Sequence, residues 1–80
     1  MGRLLDLLER ALIARGLEKH YINLKLREQL LHGNVQENIR DIMRIEDPEM
    51  IRILWSVGLR QPYYTYALKR LRELVERGKV

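Results

Sequence analysis

The chain has 80 residues, with 15 Lys and Arg against 11 Asp and Glu for a net charge of +4; 46% of it is apolar, and it has neither cysteine nor phenylalanine. A chain this short buries little more than about 60% of its unfolded surface, so residues 1–80 are expected to form a single domain around one core. The lack of cysteine excludes disulfide frameworks, thiolate zinc sites, iron–sulfur clusters and cysteine nucleophiles, and fits a reducing, cytoplasmic setting.

Helical periodicity runs through the whole chain. Over residues 3–15, Leu4, Leu7, Leu8, Ala11 and Ala14 fall on one side and Asp6, Glu9 and Arg10 on the other, with Gly16 as the stop. A second helix over 18–32 carries Ile22, Leu26 and Leu30 on one flank and Tyr21, Leu24 and Leu31 on another. This apolar arc is wider than one neighbour requires, so the helix is expected to lie between two partners. Gly33 is expected to end it in the left-handed conformation. Asn34, with Glu37 three residues on, has the form of a capping box opening a third helix over 35–45. The spacing there turns Val35, Ile39, Ile42 and Met43 inward and Glu37, Arg40, Asp41 and Arg44 outward.

Asp47-Pro48-Glu49 joins an Asp cap, a proline at the first helical position and a carboxylate at the positive end of the helix dipole, so a fourth helix begins there. Its body over 48–57 is apolar nearly all round and is expected to be the central core helix, with truncation of Trp55 costing about 3–5 kcal/mol. Gly58 and Leu59 suit a Schellman-type end, and Pro62 opens a fifth helix over 62–77. No segment alternates with a period of two. The expected fold is therefore all-α, a bundle of five helices joined by connections of about two to four residues.

The charge is unevenly placed. Residues 1–59 hold nine basic and nine acidic side chains, so the whole excess of +4 lies in residues 60–80. On a helical wheel, Tyr63, Tyr64, Ala67, Leu68, Leu71, Leu74 and Val75 share an arc of about 140°. The opposite arc carries Thr65, Lys69, Arg70, Arg72, Glu73, Glu76 and Arg77 around Tyr66. A basic helix face with an aromatic in it suits a polyanionic partner. The same residues can also be read as helix-stabilising pairs on a solvated face, Lys69–Glu73–Arg77 and Arg72–Glu76 being four apart.

Residues 48–80 resemble a helix-turn-helix, with Gly58 in the turn and Tyr66 to Val80 similar to the close of a winged-helix recognition helix: Leu71, Leu74, Gly78 and Val80 fall at matching places, and the chain stops before a wing. The resemblance implies a DNA-binding domain of the transcriptional-regulator kind, homodimeric, with double-stranded DNA as partner. It places Thr65, Tyr66, Lys69 and Arg70 toward the major groove and Arg60, Arg72 and Arg77 toward phosphates, with Lys79 in the same basic segment. A second resemblance is internal: residues 16–23 recur loosely as 58–65, an offset of 42 that is similar to the period of HEAT repeats. The alternative function is a protein-interaction or self-assembling bundle without nucleic acid, its contact patch formed by Tyr63, Tyr64, Tyr66 and exposed residues such as Ile13.

Sites for chemistry are absent from the pattern. His20 and His32 have no third ligand beside them, Ser56 has no adjacent base, and Glu46, Asp47 and Glu49 are accounted for by a helix N-terminus. No glycine-rich phosphate loop is present, so neither enzyme activity nor a cofactor or metal is expected. No apolar run exceeds four residues, which rules out a membrane-spanning helix. Asp6 breaks the apolar stretch a secretory leader would need, and it stands where N-myristoylation at Gly2 requires Ser or Thr, so neither is expected.

Overall fold

The computed structural model describes residues 2–79 and contains five helices: α1 (Arg3–Ile13), α2 (Leu17–His32), α3 (Val35–Met43), α4 (Pro48–Ser56) and α5 (Tyr63–Glu76). The punctuation behaves as its chemistry demands. Asn34 Oδ1 accepts from Glu37 N at 2.9 Å to start α3, and Asp47 Oδ1 accepts from Glu49 N at 2.9 Å to start α4 behind Pro48. α1 ends two residues before the expected limit, because Ala14 is already extended. Gly33 departs from the left-handed geometry expected of it, with φ at −78°. Glycine is required there for room: a Cβ would run into the Gln29 side-chain amide and carbonyl oxygen.

The centre of the bundle is α1, not α4. Leu4, Leu5, Leu7, Leu8 and Ala11 are all buried and span an arc of about 160°, so α1 meets α2, α3 and α4 at once. α4 buries Met50, Ile51 and Leu54, while Ile53 and Trp55 are only half-buried, with Trp55 packed edge-on against Tyr64 at 5.6 Å between ring centroids. α2 likewise departs from expectation. It meets both α1 and α3, but on one side: Ile22 and Leu26 are fully buried against the bundle, and the flank of Tyr21, Leu24 and Leu31 faces solvent.

α3 and α5 are each turned relative to the face their apolar spacing indicates. On α5 the buried positions are Tyr63, Ala67, Arg70 and Leu74, an arc rotated by about 60° from the apolar one, which leaves Tyr64, Leu68 and Val75 exposed. On α3 the buried positions are Asn38, Asp41 and Ile42, and Val35 is exposed. The reason is polar. Three buried side chains each bond backbone at or beside the end of a different helix, where backbone groups run short of intrahelical partners. Asp41, expected outward, accepts from Leu5 N at 3.0 Å and Gly2 N at 3.2 Å at the start of α1. Asn38 donates to Gln29 O at 3.0 Å near the end of α2 and to Tyr63 Oη at 3.1 Å. Arg70 donates from Nε to Ile45 O at 2.7 Å just beyond α3. No helix is long and apolar enough to cross a membrane among the described residues.

Candidate interaction surfaces

The basic residues of the final helix divide sharply once their partners are known. Arg70 is 8% exposed, and besides Ile45 O it holds Glu73 at 3.0 Å and Glu46 at 3.3 Å. Its expected place in a DNA interface is therefore corrected: the rotation of α5 carries it into the bundle, where a polyanion cannot reach it. Glu46, in the α3–α4 connection, also binds Lys79 Nζ at 3.0 Å and Arg77 at 3.4 Å. Gly78, at φ +74°, reverses the chain after α5, so that Lys79 N donates to Leu74 O at 2.9 Å. That reversal returns the Lys79 side chain to Glu46. The hydrogen bond from Lys79, helped by the charges of Arg77, Lys79 and Arg70, holds the Glu46 carboxyl below its ordinary pKa against the opposing effect of partial desolvation.

The remaining expected contact residues are spread over the surface. Thr65 is tied to Gln61, its Oγ1 at 2.7 Å from Oε1. Tyr66 is half-buried against the core instead of standing in the charged face. Arg60, Lys69 and Arg72 are exposed and make no ion pair among the described residues. The expected four-residue pairings along α5 do not form, since Glu73 takes Arg70 and Arg77 turns to Glu46. Val80, the last of the four positions that carry the winged-helix resemblance, lies outside the described residues.

The aromatic patch of the alternative reading is also redistributed. Tyr63 is 5% exposed with its hydroxyl hydrogen-bonded, which leaves Tyr64 and Ile13 as the solvent-facing members. The larger apolar surface lies elsewhere. On the outer flank of α2, Leu17 is 86%, Tyr21 55%, Leu24 61% and Leu31 60% exposed. Lys25 lies over the Tyr21 ring at 5.5 Å and pairs with Glu28 at 3.5 Å. Leu31 continues into a groove of about 670 Å³ floored by Leu30, Val57, Leu59 and Tyr63, with Arg27 and Arg60 on its rim. The wide apolar arc of α2 carried this signal in the sequence, since residues 17, 21, 24, 28 and 31 alternate in steps of four and three.

His20 and His32 are both exposed, and no group of three or more metal-ligating side chains converges among the described residues. No protein-family model, curated protein sequence or solved structure matches the chain.

Proposed function

We propose that this chain is a small helical protein-interaction module that docks through the outer flank of α2, acting in the reducing interior that its cysteine-free composition suits. The observation carrying this reading is the strip of Leu17, Tyr21, Leu24 and Leu31, each more than half exposed on one helix and continuous with an apolar groove. Single exposed apolar residues are ordinary on protein surfaces. Four on one helix face, broken only by Glu28, make the kind of strip that interfaces bury. The competing reading, a helix-turn-helix DNA-binding domain, is supported by the exposed cations Arg60, Lys69 and Arg72. It is weakened because Arg70, Arg77 and Lys79 are engaged by acidic groups of the same chain.

Size exclusion at two ionic strengths, with and without a random DNA duplex, separates the two readings. An interaction module elutes unchanged when duplex is added. Co-elution with duplex that falls steeply with salt and is lost in the Lys69→Glu/Arg72→Glu variant would overturn the proposal. Those two positions are the suitable ones to reverse, because reversal at Arg70 or Arg77 would also break intramolecular ion pairs.

A further inference from the structure

The geometry points to a second copy of this chain as the occupant of the α2 flank, paired antiparallel about a twofold axis; this rests on the interaction-module reading above. Leu17, Tyr21, Leu24 and Leu31 follow the alternating three- and four-residue spacing by which one helix presents a seam to another, interrupted at the fourth of its five positions by Glu28, which pairs with Lys25. On the side remote from that seam, Ile22 and Leu26 hold the helix to its own bundle, so the seam is presented by a fixed element. Isologous pairing requires one surface to complement itself.

Charge decides the register. If Tyr21 faces Leu24 of the second copy across the axis, Glu18 comes beside Lys25 of that copy, and the symmetry repeats both contacts. Sliding the helices by half a heptad toward their C-termini, so that Tyr21 faces Leu31, instead brings Lys25 against Lys25 and Arg27 against Arg27. Like charges held together at an interface are strongly unfavourable, so the first register is selected. Two further features agree with it. Ile13, 80% exposed at the α1–α2 turn, comes beside Leu31 of the second copy, where the groove begins. Lys25, now lying over Tyr21 at the edge of the strip, needs only a rotamer change to reach the incoming Glu18.

In this register α2 overlaps its copy over residues 17–28, a seam about 18 Å long, and with the groove the contact falls at the small end of stable interfaces. The pairing is accordingly reversible and concentration-dependent. Light scattering coupled to size exclusion, run across a concentration series from about 10 μM to 1 mM in low salt, reads it as a mass rising from one chain toward two.

Leu24→Glu places two carboxylates beside the twofold axis at the centre of the seam, where Glu28 stands at its ends, and is expected to give a monomer with an unchanged far-UV circular dichroism spectrum. Glu18→Lys and Lys25→Glu, each alone, set like charges opposite one another, and each is expected to weaken association at least about 10-fold. Mixing the two single variants restores both pairs in a heterodimer, so the mixture is expected to associate at wild-type concentrations. A wild-type chain that stays monomeric throughout the series would overturn self-pairing, as would association indifferent to Leu24→Glu or a mixture of the two charge variants that fails to associate. None of these outcomes touches the interaction-module reading, which falls on the duplex experiment instead.

Discussion

Asp41 and Arg70 show how much of this fold depends on single polar side chains placed where an apolar pattern would not put them. Asp41, 1% exposed, accepts the backbone N–H groups of Gly2 and Leu5 and so supplies the cap that α1 lacks locally, Gly2 having no side chain. Removing it strands a buried donor, which costs about 1–3 kcal/mol. Asp41→Ala is expected to lose that much in urea denaturation, with Asp41→Asn intermediate because an amide keeps one acceptor oxygen and turns a donor toward the other N–H. Arg70 is a sharper case. Its Nε bonds Ile45 O just beyond α3 while its fork holds Glu46 and Glu73, a geometry a lysine cannot reproduce. Arg70→Lys is expected to cost about 2–3 kcal/mol. Lys69→Ala and Arg72→Ala, one residue before it and two after, should each stay within about 0.5 kcal/mol of wild type. Equal effects at the three sites would remove the distinction between structural and surface cations on α5.

Among the helices, the weight of the core lies on α1, and stability should follow burial and not side-chain size. Leu8 is fully buried, so Leu8→Ala removes packing from the middle of the bundle and is expected to cost about 3–5 kcal/mol. Trp55, half-buried against Tyr64, should cost less when truncated, about 1–2 kcal/mol, in spite of its larger ring. Chemical denaturation of the two variants gives the order directly, and a larger loss at Trp55 would restore α4 as the centre. All five helices and most of their ends were legible in the sequence, because caps such as Asn34 and Asp47 act on backbone within three residues of themselves. Facing was less legible. The apolar wheel of α5 points to Tyr64, Leu68 and Val75 as core, but the true face is set by Arg70 reaching Ile45, a contact 25 residues away in the chain. Local periodicity carries no record of a distant helix end that needs a donor. α2 fails in the opposite sense: its two apolar flanks were both visible, and what the pattern could not say is that the fold of this chain covers only one of them.

At the scale of the whole molecule, the excess charge after residue 59 serves in large part to close the bundle. Glu46 stands between α3 and α4 and gathers Arg70, Arg77 and Lys79, so the end of α5 is tied back to the middle of the chain. This makes the closure sensitive to acid, with a definite sign. The hydrogen bond from Lys79 and the nearby cations keep the Glu46 carboxyl ionised below the pH at which an unfolded glutamate takes up its proton. A carboxyl depressed on folding contributes stability that is complete above its unfolded pKa of about 4.3 and disappears as pH falls through its lower folded value. Glu46→Gln is therefore expected to melt below wild type at pH 7, and the gap should narrow as the pH falls below about 4.3. Salt should shrink the pH 7 gap as well, since Glu46, Arg77 and Lys79 are each about half exposed and screening reaches them. Melting curves for both proteins at pH 7, 5 and 3, in low and high salt, supply the comparison. A gap that stays constant from pH 7 to 3 would mean that Glu46 acts through packing, and the cations beside it would then be free for a partner.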